Sequence, residues 1–271
     1  MFFHHVDHYT LARMLTAFTL LFLGVYEIVT PRCFWGLSIY FRGIWRLALP
    51  PQATGAQAER LRHVLDARAR AEGDSDTAIR CAGGFAIAMA GLALVPSVPF
   101  VLPYALSTLA LAFAILITYL RFRRVTELRV APLVRRTPWK SLPPIALIAT
   151  LVCLLGAGAF GAYAEFRISA LIVILCALAL LAVAWRVAMA PAILFGDDSQ
   201  LEYLVDEHIR FCRAMNLVSL ACAPPTVLVA LGWAALPWNA PFFNFVTVAV
   251  ALAFVTVLIM SLNPMRKRSL A

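Results

Sequence analysis

Long apolar blocks alternate with shorter polar intervals along this chain. Seven blocks, residues 11–29, 78–95, 100–120, 144–163, 168–189, 214–236 and 242–262, are long and apolar enough to cross a bilayer, which takes about 20 residues of helix. The pattern predicts an all-α, polytopic membrane helix bundle with seven transmembrane helices, folded as one membrane domain over residues 1–271. The first block is too long for the apolar core of a signal peptide, and no small-residue cleavage site follows it, so it is read as a helix.

Three shorter stretches have a different pattern. Residues 37–55 mix aromatic and Arg side chains with aliphatic ones in a run too short to cross, as expected of a segment lying in the interface. Residues 59–70 place Leu61, Val64, Leu65 and Arg68 on one stripe, with Gly73 as a C-cap. Residues 199–213 open on Ser199-Gln200-Leu201-Glu202, a capping-box sequence, and stripe Leu201, Leu204, Val205 and His208. Both are predicted as helices on the cytoplasmic surface. A basic linker, 121–140, carries Arg123, Arg124, Arg129, Arg135 and Arg136.

The two halves echo each other. Cys81-Ala82-Gly83-Gly84 recurs as Cys222-Ala223-Pro224-Pro225, and the same register matches Gly91 with Gly232, Ala93 with Ala234, Pro96 with Pro237, and Ala110-Leu111-Ala112-Phe113 with Ala251-Leu252-Ala253-Phe254. These nine identities exceed the roughly three or four that an Ala-, Leu- and Val-rich composition yields by chance. The register predicts a first repeat over 8–122, a central helix at 144–163, and a second repeat over 168–262. Blocks one and five are four crossings apart, so the three-helix repeats are expected to be parallel. This three-plus-one-plus-three plan resembles that of SWEET-type sugar transporters, in plan only, since none of that family's motifs is present.

Composition agrees with a membrane protein: 62% of residues are hydrophobic and 14% charged, and mean hydropathy is +0.84. Charge then orients the bundle. Of 23 Lys and Arg, only Arg13 and Arg167 fall on one side of the predicted helices, and retention of basic residues in the cytoplasm places the N-terminus outside and the C-terminus inside. The net charge of +9 is accounted for by this asymmetry and by anionic lipid headgroups on the cytoplasmic side, without nucleic acid. A cell-membrane location follows. Pro31-Arg32-Cys33-Phe34-Trp35-Gly36-Leu37-Ser38, followed by Arg80-Cys81-Ala82-Gly83-Gly84 and Gly91, is similar to uncharacterised small bacterial membrane proteins over the first third of the chain. That resemblance implies bacterial origin, and with it a bacterial inner membrane, and carries over no activity.

Candidate chemistry is sparse. Gly156-Ala157-Gly158-Ala159-Phe160-Gly161 matches a dinucleotide fingerprint in letters, but it lies inside an apolar run where small residues serve helix packing. His4, His5 and His8 offer a metal-ligating possibility at the N-terminus, although imidazoles at headgroup level explain them with less. Asp197, Asp198, Glu202, Asp206, Glu207 and His208 are read in the same way, as a solvated acidic helix start before a divalent-ion site. Cys81 and Cys222 are a weak soft-ligand pair across the two halves. Lys140 and Lys267 are the only lysines and both lie outside the apolar blocks, which excludes a Schiff-base chromophore within the bundle. No catalytic residues and no cofactor are expected.

Two features bear on function. Blocks one and five end alike, with Pro31 and Pro191 matched in a separate register of 160 residues; Glu27 and Arg186 sit about one turn before these prolines, and are expected either to pair within the membrane or to snorkel to the interface. Gly83, Gly84, Pro224 and Pro225 are matched helix breaks in blocks two and six, a candidate binding or gating site. The expectation is a non-catalytic accessory or scaffold subunit that docks a protein partner through helix faces and charged cytoplasmic helices. The alternative is a small-solute transporter with its site at the matched breaks.

Overall fold

The structure, a computed structural model, describes residues 8–29, 59, 76–126, 139, 142–163, 166–190, 199–235 and 241–262. Among these are seven α-helices and no strand: α1 (His8–Val29), α2 (Asp76–Ala93), α3 (Val101–Thr126), α4 (Pro144–Tyr163), α5 (Arg167–Met189), α6 (Ser199–Ala235) and α7 (Pro241–Leu262). Helix is the form that satisfies a backbone within one segment, which an apolar surrounding requires. Pro144 and Pro241 occupy the first positions of α4 and α7, where a missing N–H breaks no helical bond.

Six helices are long and apolar enough to cross a membrane: Tyr9–Val29, Val101–Thr118, Pro144–Ala162, Arg167–Met189, Arg210–Ala234 and Pro241–Ser261. The seventh, α2, is apolar over Thr77–Ala93 only, a rise of about 26 Å against a hydrocarbon core of about 30 Å. A second difference from the sequence pattern concerns α6. The polar segment from Ser199 and the apolar block after it form one helix of 37 residues, about 56 Å long. No Gly or Pro stands between Ser199 and Pro224 to end it, so the change from polar to apolar residues alters the helix's surroundings and not its backbone. The expected helix at 59–70, apart from Glu59, and the interfacial segment 37–55 lie outside the described residues, as do His4 and His5.

Side-chain contacts establish the helix directions. Arg13 of α1 reaches Ala93 at the end of α2, while Gly24 meets Gly83 nearer its start, so α1 and α2 are antiparallel. Tyr9 and Phe166 both stack edge-on against Phe100, bringing the starts of α1, α3 and α5 to one end. Gly161 packs on Ala170, and Trp139 meets Trp185, so α5 runs against α4. Cys153 contacts Thr226 and Phe160 contacts Gly232, so α4 and α6 are parallel, whereas Phe160 with Phe243 and Cys153 with Val250 set α7 against α4. Thus α1, α3, α5 and α7 run one way and α2, α4 and α6 the other. Helix α6 packs against α1, α3, α4, α5 and α7, which makes it the centre of the bundle.

Candidate functional site

Most buried hydroxyls in this bundle are satisfied locally. Thr16, Ser107, Thr108, Thr118 and Thr150 donate to the carbonyl four residues back, over 2.7–3.0 Å. Such bonds hide a polar group inside its own helix and leave little to bind a solute. Two places carry polar groups beyond this pattern.

The first is where α6 is interrupted. Pro224 and Pro225 are buried inside the helix and remove the donors that would reach the carbonyls of Leu220 and Ala221. Polar side chains gather on the α4 side of this break. The Cys222 thiol donates to Thr150 Oγ1 at 3.2 Å and neighbours the Cys153 thiol. Thr226 Oγ1 donates to the Cys222 carbonyl at 2.9 Å and lies 3.8 Å from Cys153 Sγ, which is itself 3.9 Å from the Val250 carbonyl of α7. Cys153 is the tenth of the 19 residues in its span, Cys222 the thirteenth of 25, and Val250 the tenth of 21. Three helices therefore bring thiols, hydroxyls and the carbonyls of Cys222 and Val250 together at mid-span, without a charged side chain among them.

The second is Glu27, near the end of α1. It is 1% exposed, and neither carboxylate oxygen has a hydrogen-bond partner. Its position is held by a close helix crossing. A Cβ on Gly83 would stand 2.7 Å from the Gly24 carbonyl oxygen and 2.9 Å from Glu27 Cβ, and one on Gly24 would stand 2.6 Å from the Gly83 carbonyl oxygen. Only glycines on both sides allow backbones to approach this far.

These contacts place the residues singled out in the sequence. Glu27 and Arg186 are not paired: Glu27 is buried without a partner, and Arg186 is exposed on α5. Gly83 belongs to the α1–α2 crossing, Gly84 faces open space, and Pro224 and Pro225 belong to the mid-span cluster, so the matched breaks occupy different joints of the bundle. Cys81 is exposed and Cys222 is buried against α4, which separates that pair too. His8 opens α1. Among the described residues, no group of three or more His, Cys, Asp or Glu side chains is placed to hold a metal. The partners of Cys222 on α4, Thr150 and Cys153, were not visible in the sequence; their only signal is polar residues at the centre of an apolar block.

Comparison of the chain with family models, with curated proteins and with solved structures finds no match.

Proposed function

We propose that the protein is a membrane transporter for a small uncharged solute, with its site at the break in α6. The observation that carries this reading is the meeting of Thr150, Cys153, Cys222, Thr226 and the double proline at mid-span: both hydroxyls donate within their own helices, yet each also meets a thiol of the facing helix, a contact between helices that the other buried hydroxyls of the described residues do not show. Transporter sites are commonly built at the bilayer midplane from interrupted helices. Hydroxyls, thiols and carbonyls can hydrogen-bond a neutral solute, while a charged one would lack a counter-charge in the cluster.

In this reading α2 crosses the membrane with the other six, its short apolar length compensated by the close crossing with α1. The end carrying Arg80, Arg186, Arg210 and Arg213 faces the cytoplasm and its anionic lipids, in a bacterial inner membrane, with the N-terminus outside. The common direction of α1 and α5 supports parallel repeats.

The test is osmotic swelling of liposomes containing the purified protein, followed by light scattering with glycerol, urea and small polyols. Protein-dependent swelling with at least one solute is expected, and its loss in a Pro224→Ala/Pro225→Ala variant that remains monodisperse. Permeability equal to that of empty liposomes for every solute, or unchanged in the variant, would reject the site. Co-purification of a stoichiometric protein partner, together with absence of transport, would favour the accessory role.

A further inference from the structure

A carboxylate buried in an apolar bundle is costly unless something neutralises it, so an acidic side chain held at membrane depth marks a function by default. Glu27, nineteenth of the 21 residues of the α1 span, is buried near one end of it: 1% exposed, unbonded at both oxygens, and carried on a backbone locked against α2 at the Gly24–Gly83 crossing. Charged groups do stand on the helices packed against α1. Arg80 is on α2, one turn before Gly84, and Glu207, Arg210 and Arg213 are near the start of the α6 span. None is in ion-pair or hydrogen-bond contact with Glu27. Helix α3 meets α1 at the opposite end, through Phe100 and Tyr9.

The cation that neutralises Glu27 is constrained by how many ligands it needs. A hard metal ion takes six or more oxygens, and an ammonium group presents three donors. Glu27 supplies two oxygens, no donor reaches them, and among the described residues no group of three or more His, Cys, Asp or Glu side chains is placed to complete a metal site. A proton needs one lone pair. We propose that Glu27 is a proton-binding site of the membrane domain, a carboxyl that exchanges one proton with the side at which α1 ends. This rests on the α1–α2 crossing and is independent of the α6 site.

The experiment uses the full chain in mild detergent with the apolar reagent dicyclohexylcarbodiimide. The reagent takes up the carboxyl proton as it adds to the oxygen, so only the acid form reacts. Mass spectrometry of the unaltered protein is expected to find the adduct at Glu27, and Glu27→Gln to lack it. Labelling should slow by roughly tenfold per pH unit once the carboxylate predominates, and sodium ions should leave it unchanged. Because the adduct is located in the unaltered protein, the result stands even if the Gln variant folds poorly. Absence of an adduct at Glu27 under conditions that label other carboxyls would overturn the proposal. So would protection by sodium, which would make the site one for a hard cation.

Discussion

Glu27 and Gly83 meet where α1 crosses α2, with Glu27 Cβ only 2.9 Å from the point that a Cβ on Gly83 would occupy. The neighbouring Gly84 has nothing within 4 Å of the same point. Two adjacent glycines thus make opposite demands. Gly83→Ala is expected to lower stability by about 1–3 kcal/mol, since the obstructing atoms include the Gly24 carbonyl oxygen, which cannot turn aside. Gly84→Ala should be neutral or stabilising by up to about 1 kcal/mol through helix propensity. Thermal unfolding of both variants in the same detergent checks this, and equal losses would mean that the crossing is not the constraint.

Since Arg186 is exposed and Glu27 has no partner, charge reversal should reveal no coupling between them. Glu27→Lys is expected to destabilise strongly, because it places a longer cation in the same unpartnered pocket. Arg186→Glu should have little effect. The double reversal should be no more stable than Glu27→Lys alone, with a coupling energy within about 0.5 kcal/mol, the range for independent sites. Rescue of folding or expression in the double variant would restore the ion pair that the sequence made plausible.

Those two residues also illustrate what was legible beforehand. Apolar blocks located the helices well, with α4 falling on residues 144–163 as expected, because bilayer thickness imposes a length on any apolar segment. The same criterion divided α6 at its polar-to-apolar boundary, since hydropathy reports where a helix sits and not where its hydrogen bonding stops. Internal similarity singled out Cys222 and Pro224, yet it linked them to Cys81 and Gly83. Their partners in the structure, Thr150 and Cys153, lie 72 and 69 residues earlier in the chain. Partner choice depends on helix order and axial register, which periodicity within single helices does not encode.

The Gly-rich run in α4 gives a sharper check on its packing role. A Cβ on Gly161 would collide with Ala170 Cβ of α5, and one on Gly156 would collide with Val250 Cγ2 of α7, whereas one on Gly158 meets only Ile174 Cδ1 at 3.9 Å. Gly161→Ala and Gly156→Ala are each expected to cost about 1–3 kcal/mol. Gly158→Ala should be tolerated. The order of unfolding temperatures in one detergent decides the matter. A loss for Gly158→Ala as large as for the other two would indicate a demand on that position beyond helix packing.

Arg13 fastens α1 to the turn that joins α2 to α3. Its Nη1 donates to the carbonyls of Val95 at 2.6 Å and Val98 at 2.8 Å, with Ala93 at 3.4 Å, and its Nη2 donates to Pro96 at 2.8 Å. The carbonyls at a helix C-terminus have no helical donor, and although Val98 N–H reaches the Val95 carbonyl at 3.1 Å, Pro96 and Pro99 in this turn supply no donor. A planar guanidinium can serve several such oxygens at once, while an ammonium can approach them only as a point charge. Arg13→Ala is therefore expected to destabilise the protein by at least about 2 kcal/mol and to expose the peptide bonds around Pro96 to protease. Arg13→Lys should recover only part of that loss, because it restores the charge without the fork. Full recovery by Lys would show that charge alone holds the turn, and unchanged cleavage in Arg13→Ala would show that the turn is held by the helices themselves.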